Sequence, residues 1–279
     1  MIYSMQTFTQ SGPGLTQRLR TALQNARSLP GAAIACSIER TSRARRFSGA
    51  FETRAAAQDS VIRRAGKGYD DEAISDVSFD LICRRTAWDY PIMFWLQRLL
   101  SNADALIDAG GHLGTKYIAF HDLIDLRPIR WRFFGLPVIV NAARRHQSKG
   151  TLPLEIEFYT DVNTLPAANI LLCSGLLQYK DVAFPEFVAA LPARPDHILL
   201  NKAALRDGPE LYTIEKIGEG CVTYRIRNRR IFGAQIDRMG NKILDSWNIT
   251  DIGNVISTHP WLGRSESRGY MLSCSKLLG

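Results

Sequence analysis

The sequence predicts an α/β protein whose sheet is mostly parallel and carries helices on both faces. Two observations predict it: from residue 105 onward short apolar runs alternate with segments of helical period, and a glycine cluster follows the first of these runs directly. Strands that alternate with helices form βαβ units, which place successive strands parallel in one sheet. With 279 residues, 46% of them hydrophobic, the chain can bury a large core.

The amino-terminal part of the chain predicts helices. Leucines recur at a helical spacing over 15–29, and the breaker pair Pro30–Gly31 predicts the end of this amphipathic helix. Residues 51–64 and 86–100 predict two further helices. The last of them is rich in large aromatic side chains, and we expect it either to cap a functional site or to form the contact of a homodimer.

Six later segments have the length and apolar content of strands. The segment 154–161 alternates apolar and polar side chains, whereas 169–179 is mostly apolar, as in a strand that is covered on both faces. The predicted strands, some with the turn that follows them, are 105–111, 129–140, 154–161, 169–179, 197–205 and 269–277.

Helical period separates these strands. It predicts helices at 115–126, 138–147 and 185–192, and the segment 224–239 predicts a strand followed by a helix. We therefore divide the chain into an amino-terminal helical extension and cap, residues 1–100, and an α/β domain, residues 101–279.

The formal net charge of +8 is concentrated near the amino terminus. Residues 1–64 hold ten arginines against three acidic residues. Such a segment suits nucleic acid or an anionic membrane surface, yet it has no nucleic-acid-binding motif and no interleaved aromatic residues. We interpret it as a solvated extension that also favours an anionic substrate, and we do not expect a nucleic-acid partner.

Other classes of protein are disfavoured by simple patterns. No window reaches the about 18 uninterrupted apolar residues of a membrane span, and the first residues lack the charged-then-apolar order of a signal peptide. We expect a cytoplasmic protein without a membrane span. The five cysteines are widely spaced and include no CxxC pair, which predicts reduced thiols and no metal site.

The stretch ALIDAGGHLGTKYIAF, residues 105–120, joins a predicted strand to a predicted helix through a glycine turn. Gly110 and Gly111 permit backbone angles and close approaches that a side chain would block, and the backbone N–H groups of such a turn suit a carboxylate or a phosphate. The turn matches neither a Walker loop nor the dinucleotide fingerprint GxGxxG, because His112 interrupts the pattern. An acidic residue two positions before the first glycine, here Asp108, is typical of the first motif of S-adenosylmethionine enzymes.

Six strings together resemble a family of methyltransferases from bacterial gene clusters for polysaccharide, lipopolysaccharide and natural-product synthesis. The strings are GYDDEAI (68–74), WDYPIMFWLQRLL (88–100), IDAGGHLGTKYIAF (107–120), LLCSGLLQY (171–179), HILLNKAALRDGPELYTIE (197–215) and YRIRNRRIF (224–232). The resemblance extends from Phe47 to the end of the chain, and the combination is far more specific than any single string.

This resemblance implies a Rossmann-like, class I methyltransferase domain that uses S-adenosylmethionine as its cofactor. It implies the methionine part of the cofactor at the glycine turn, the adenine beside the end of the third strand, and the substrate mouth along Ser174 to Tyr179. The implied cofactor-binding residues are Asp108, Gly110, Gly111, Gly114, Thr160, Asp161 and Ser174. The acceptor is not inherited with the resemblance, and we expect a small molecule or a glycan precursor.

Three residues depart from the family's pattern. Gly135 stands where the second strand would end in a carboxylate for the ribose hydroxyls, His112 replaces a smaller residue, and Asn169 stands where an acidic residue often opens the fourth strand. Loss of the ribose contact weakens binding by about 1.5–3 kcal/mol if nothing replaces it. Two hypotheses follow: a working enzyme with altered cofactor contacts, or a catalytically silent scaffold or interaction subunit.

Methyl transfer to a hydroxyl needs an aligned acceptor and a general base. We take His259, in the loop STHPWLGR, as the candidate base and Tyr179, after the fourth strand, as the residue that orients the acceptor; a structural role for each stays open. Lys202 and Arg206, after the fifth strand, are candidates for holding an anionic substrate, and the basic run 225–230 is expected to be a solvated face.

Overall fold

The computed structural model describes residues 15–39, 41, 43–65, 83–218 and 220–274, without the side chains of 15–25 and 65. The string GYDDEAI lies outside these residues. The helices are α1 (Leu15–Ile38), α2 (Arg54–Ala65), α3 (Tyr90–Leu99), α4 (Thr115–Phe120), α5 (Pro137–Ser148), α6 (Phe184–Ala189) and α7 (Arg229–Arg238). The strands are β1 (Phe47–Phe51), β2 (Ala105–Ala109), β3 (Arg130–Phe134), β4 (Ile156–Tyr159), β5 (Ile170–Ser174), β6 (His197–Arg206), β7 (Leu211–Ile217), β8 (Gly220–Asn228), β9 (Lys242–Ile249) and β10 (Glu266–Ser273).

The main part of the sheet has the strand order β4-β3-β2-β5-β6-β10-β9. The strands from β2 to β6 run parallel, and β10 lies antiparallel between β6 and β9. This order confirms the predicted α/β class and the Rossmann-like class I methyltransferase sheet. Because the chain moves from β2 to β3 on one side and later returns to β5 on the other, the order reverses at β2. The carboxyl ends of β2 and β5 therefore flank the place where sheets of this type bind ligands.

Helices cover both faces of this sheet, as the sequence predicted. On one face α3, α4 and α5 pack against Leu106 of β2 and against Trp131 and Phe133 of β3. On the other face α6 and α7 place Phe184 and Phe232 against β2, β5 and β6. Burial of a large apolar side chain contributes about 2–3 kcal/mol, so the two cores hold the strand ends in fixed relative positions.

A second group of strands extends the sheet beyond the carboxyl end of β5. The last residues of β6, Leu205 and Arg206, pair in parallel with Arg227 and Asn228 of β8. β8 and β7 form an antiparallel hairpin, and β1 pairs with β7 at the edge. We call β1, β7 and β8 the accessory strands. Since β1 comes from the amino-terminal part, the expected helical extension also contributes a strand, and the division at residue 100 stays a prediction.

Two predicted helix ends were wrong. α1 does not stop at Pro30–Gly31 but continues to Ile38. A proline inside a helix removes one backbone hydrogen bond; the helix continues past it, with Ala32 and Ala35 buried. The helix expected over 115–126 ends at Phe120, after which the chain enters the core through turns. Within the described part of the chain, no helix is long and apolar enough to cross a membrane.

The basic run 225–230 is not the solvated face that we expected. It does span the junction of β8 and α7, but Arg227 is only 4% exposed. Its guanidinium donates hydrogen bonds to the carbonyl oxygens of Leu177, Lys180 and Val182. The Arg227 guanidinium therefore holds the turn that follows β5. This turn borders the carboxyl edge of the sheet.

Replacing Arg227 with methionine should destabilise the fold. Met preserves the apolar stem but leaves buried carbonyl oxygens without a donor, and we expect a loss of about 2–3 kcal/mol in the free energy of unfolding. Urea unfolding measures it, with Arg230→Met, an exposed position on α7, as the matched control that stays within about 0.5 kcal/mol. Equal stability of the two variants would contradict this assignment.

Candidate functional site

The glycine turn, residues 110–114, leaves the carboxyl end of β2 at the point where the strand order reverses. The backbone N–H of Gly110 donates to the carbonyl oxygen of Phe134 at 2.9 Å, which holds the turn against β3. Gly110 and Gly114 have φ angles of +68° and +76°, and His112 and Leu113 have +44° and +58°. Left-handed angles cost a non-glycine residue roughly 1–2 kcal/mol, so the turn holds two strained residues beside its glycines.

Asp108 lies directly beneath this turn and is completely buried. The indole N–H of Trp131 donates to its Oδ2 at 3.2 Å, whereas its Oδ1 has no protein partner. A Cβ at Gly111 would lie only 2.1 Å from that Oδ1, so the turn and the carboxylate fit only if residue 111 is glycine. Burial raises the pKa of Asp108 to about 7, although the Trp131 hydrogen bond and the charge of Lys116 act in the opposite direction.

A buried ion pair joins the start of α4 to the segment before α3. Lys116 Nζ lies 2.6 Å from Asp89 Oδ1, and Asp89 Oδ2 accepts hydrogen bonds from the backbone N–H and the hydroxyl of Thr86 at 3.0 and 2.7 Å. Asp89 is 0% exposed. Breaking a buried pair of this kind strands a charge and is costly, so the segment 86–89 is fixed beside the glycine turn.

The turn after β5 supplies the opposite wall. The side chain of Leu176 covers the glycine turn, because a Cβ at Gly110 would lie 2.5 Å from Leu176 Cδ1. Ser174 and Gln178 are more than nine-tenths buried, yet Ser174 Oγ and Gln178 Oε1 have no protein partner. Buried polar atoms are normally satisfied, and these two are therefore suited to a ligand.

The expected ribose end has no carboxylate. Gly135 directly follows β3, and its N–H donates to the carbonyl oxygen of Tyr159 at 3.1 Å. A Cβ at residue 135 would lie 2.6 Å from the ring of Phe133, so the core aromatic fills the space of a side chain. Thr160 and Asp161 follow β4 and are exposed.

Asp161 and Asn169 both make local contacts. Asp161 Oδ1 accepts hydrogen bonds from the backbone N–H and the side-chain amide of Asn163, each at 2.9 Å, and so closes its own turn. Asn169 precedes β5 at the amino edge of the sheet, where its side chain bonds to Asp104 N and Asp196 Oδ2. The departure at residue 169 therefore lies at the edge opposite to the glycine turn.

The two candidate catalytic residues, Tyr179 and His259, make hydrogen bonds to the accessory strands or to residues beside them. The hydroxyl of Tyr179 donates to Glu215 Oε2 at 2.7 Å, and Arg46 donates to Glu215 Oε1. His259 Nδ1 lies 2.8 Å from Thr258 Oγ1. Desolvation lowers the pKa of His259, while the charge of Glu39 raises it. Their contacts are thus those of structural side chains, and their catalytic role stays a prediction.

The contact of His259 is anchored to β1, because the same Thr258 hydroxyl accepts a hydrogen bond from Gly49 N at 2.7 Å. Arg206 is also committed: its guanidinium donates to the carbonyl oxygens of Pro209 and Leu262 at 2.7 and 2.8 Å. It holds a loop rather than facing an anionic substrate.

The structure therefore brings together part of the expected site. Asp108, Gly110 and Gly111 lie at the carboxyl end of β2, and Ser174 ends the neighbouring β5. His259 instead belongs to the surroundings of β1. Sequence reasoning missed the pair Asp89–Lys116; the capping pattern Thr86-x-x-Asp89 is its one visible signal. Gln178 lies within the stretch expected to border the substrate mouth, but it was not singled out there.

Two surface cavities of about 410 and 170 Å³ lie elsewhere, between α1 and the loop at 257–260 and beside α6. Among the described residues, no group of three or more His, Cys, Asp or Glu side chains is placed to hold a metal ion.

No protein-family model matches the chain, and the comparison with curated proteins gives no match. Solved structures do match at low identity. The chain is similar to 1,6-didemethyltoxoflavin-N1-methyltransferase from Burkholderia thailandensis (16% identity, 77% of this chain and 84% of that chain, TM-score 0.42). It is also similar to an amino pentose methyltransferase from Micromonospora echinaspora involved in calicheamicin biosynthesis (12%, 70% and 95%, 0.43) and to mitomycin 7-O-methyltransferase (14%, 91% and 67%, 0.42). The fold assignment rests on the strand order of the chain itself.

Burial of Asp108 predicts a specific pH dependence of stability. In the unfolded chain an aspartate titrates near pH 3.9, so between about pH 4 and 7 the folded protein holds a proton that the unfolded chain has lost, and stability falls as the pH rises. From pH 5 to pH 8 the wild type should lose about 2–3 kcal/mol relative to Asp108→Asn. Denaturant unfolding at both pH values measures the difference.

Asp104→Asn is the matched control, because Asp104 is exposed just before the amino end of the same strand. This variant should keep the pH dependence of the wild type. If Asp108→Asn kept it as well, the proton would be bound elsewhere.

Proposed function

We propose that the protein is an S-adenosylmethionine-dependent methyltransferase that acts on a small-molecule or glycan-precursor acceptor. The observation that carries the proposal is the glycine turn at the switch point of the sheet, with an unsatisfied carboxylate oxygen of Asp108 beneath it. Ligands of such sheets bind outside the carboxyl strand ends. A ligand can approach the backbone closely only where side chains are absent. Gly110 and Gly114 have no side chain and adopt the left-handed angles of the turn.

The residues present fit the methionine half of this cofactor. The turn offers backbone N–H groups for a carboxylate, and Asp108 offers a carboxylate for an ammonium group, which would lower its pKa and repay part of its burial. Tyr159, Thr160 and Asp161 would border the adenine. When bound, the cofactor supplies an activated methyl group; the chain holds it, positions the acceptor in line and keeps water out with the segment 86–99.

The ribose end fits less well, and this sets the expected affinity. With Phe133 filling the space at Gly135, the ribose hydroxyls lose a charged acceptor at about 1.5–3 kcal/mol, which is roughly tenfold to a hundredfold in affinity. The alternative, a catalytically silent scaffold, is favoured by the same residue and by His112. Asn169 does not favour it, because that side chain serves the opposite edge of the sheet.

We infer that the aromatic-rich segment 86–99 caps the site rather than forming a dimer contact. Ile92, Met93 and Leu96 of α3 are buried in the core of this same chain, and Asp89 before it is held by Lys116. An anionic acceptor, a homodimer and a cytoplasmic location stay predictions.

Calorimetric titration with S-adenosylmethionine and S-adenosylhomocysteine tests the proposed function. We expect micromolar binding to the wild type and at least a tenfold loss in Asp108→Ala, because the variant removes the carboxylate that faces the ammonium group. Asp104→Ala, at the opposite end of β2, is the matched control and should bind like the wild type. Absence of binding by folded wild-type protein would contradict the proposal and favour the silent scaffold.

A further inference from the structure

We propose that Lys202, with Ser174 and Gln178, forms the acceptor side of this site, and that Lys202 Nζ takes the proton which an acceptor hydroxyl loses on methylation. The proposal rests on the proposed function; Lys202 replaces His259 as the base, and Ser174 and Gln178 replace Tyr179 as the residues that orient the acceptor. It starts from an irregularity in β6, where Lys202 has a left-handed φ of +61°. Left-handed angles at bulky residues are often found where function requires a side chain to be redirected.

The irregularity is a β-bulge at the carboxyl edge of the main sheet. Opposite β10, Leu200 pairs with Tyr270 and Ala203 with Arg268, so that Asn201 and Lys202 together face the single residue Gly269. A bulge of this type re-aims a side chain and is common next to active sites. Here it occurs directly after β6 pairs with the end of β5.

Two side chains and one backbone carbonyl hold the bulge in place. The Trp247 ring lies against Gly269, where a Cβ would come within 2.0 Å of it. Its indole N–H donates to Asn201 Oδ1 at 3.0 Å, and Asn201 Nδ2 donates to the carbonyl oxygen of Trp88, also at 3.0 Å. The bulge is therefore held against Trp88, in the segment 86–99 that we call the cap segment, and against β9.

The stem of Lys202 lies beside Gly175, in the turn after β5. A Cβ at Gly175 would lie 3.5 Å from both Lys202 Cδ and Gln178 Nε2, so the lysine stem and the amide flank the same glycine. The Nζ lies 5.6 Å from the ring centroid of Trp88. Ser174 at the end of β5 and Gln178 in the turn after it each have a buried side-chain oxygen without a partner, and we assign these two oxygens to the acceptor hydroxyl.

The surroundings favour the neutral amine. Burial, with the charges of Lys116 on α4 and Arg46 before β1, lowers the pKa of Lys202 to about 8, although Asp89 in the cap segment raises it. A general base works best when its pKa lies near the operating pH. The amine would accept the hydroxyl proton as the acceptor oxygen bonds to the methyl carbon and the bond from that carbon to the sulfonium sulfur breaks. Lys202 would then return the proton to water.

Pulsed acetylation of the full-length protein across pH 6.5–10.5 tests this assignment without an acceptor. Peptide mass spectrometry after brief treatment with N-hydroxysuccinimidyl acetate gives the pH of half-maximal reaction for each lysine. We expect Lys202 to react with a midpoint near pH 8, about two units below that of an ordinary lysine. Modification of the exposed Lys149 and Lys242 shows that the reagent is active. Lys116, paired with Asp89, is the buried control and should stay unmodified.

Two further outcomes separate this proposal from the proposed function. Lys202→Met should bind S-adenosylhomocysteine within about threefold of the wild type, and Lys202 should stay reactive when that ligand is bound. An ordinary midpoint, an unreactive Lys202, or complete protection by the ligand would overturn the base assignment. Failure of the wild type to bind the ligand would instead overturn the proposed function, whatever the titration of Lys202.

Discussion

The buried carboxylate of Asp108 is the constraint on which the carboxyl edge of the sheet depends. It stands at the end of the central strand without contact to water, and it requires a donor below it and an open backbone above it. β3 supplies the donor through Trp131, and the turn supplies the open backbone through Gly111. One acidic group thereby specifies residues in two further elements, Trp131 in β3 and Gly111 in the glycine turn.

The β6 side of the candidate site is specified by different means. There an extra residue in β6, rather than a glycine-rich turn, aims Lys202, and Trp247 fixes it because Gly269 has no side chain. The turn after β5 lies between the two sides and is held from behind by Arg227. The accessory strands therefore position the turn after β5, although they lie outside the main sheet.

The sequence was sufficient for the alternating strands and for the glycine turn, because buried parallel strands and strand-to-helix turns leave strong local signals. It was insufficient where distant contacts decide. β1, β7 and β9 were not predicted, since edge and hairpin strands depend on their partners. α1 passes Pro30, with Ala32 and Ala35 buried beyond it. The burial of Arg227 and the bulge at Lys202 both depend on carbonyl groups or strands far away in the chain.

The two hypotheses, a working enzyme and a catalytically silent scaffold, differ in whether costly side chains at the site have a ligand to pair with. At Gly135 the ring of Phe133 fills the space that a side chain contacting the ribose would need. This packing carries no energetic cost, so a protein that no longer binds the cofactor could keep it. Asp108 and Lys202 do cost stability. Burial shifts the pKa of each far from its ordinary value, and the backbone of Lys202 has a strained left-handed φ angle. A scaffold without a ligand gains stability by losing such groups. Both groups lie at the carboxyl edge of the same sheet, and a bound ligand that paired with them would offset this cost.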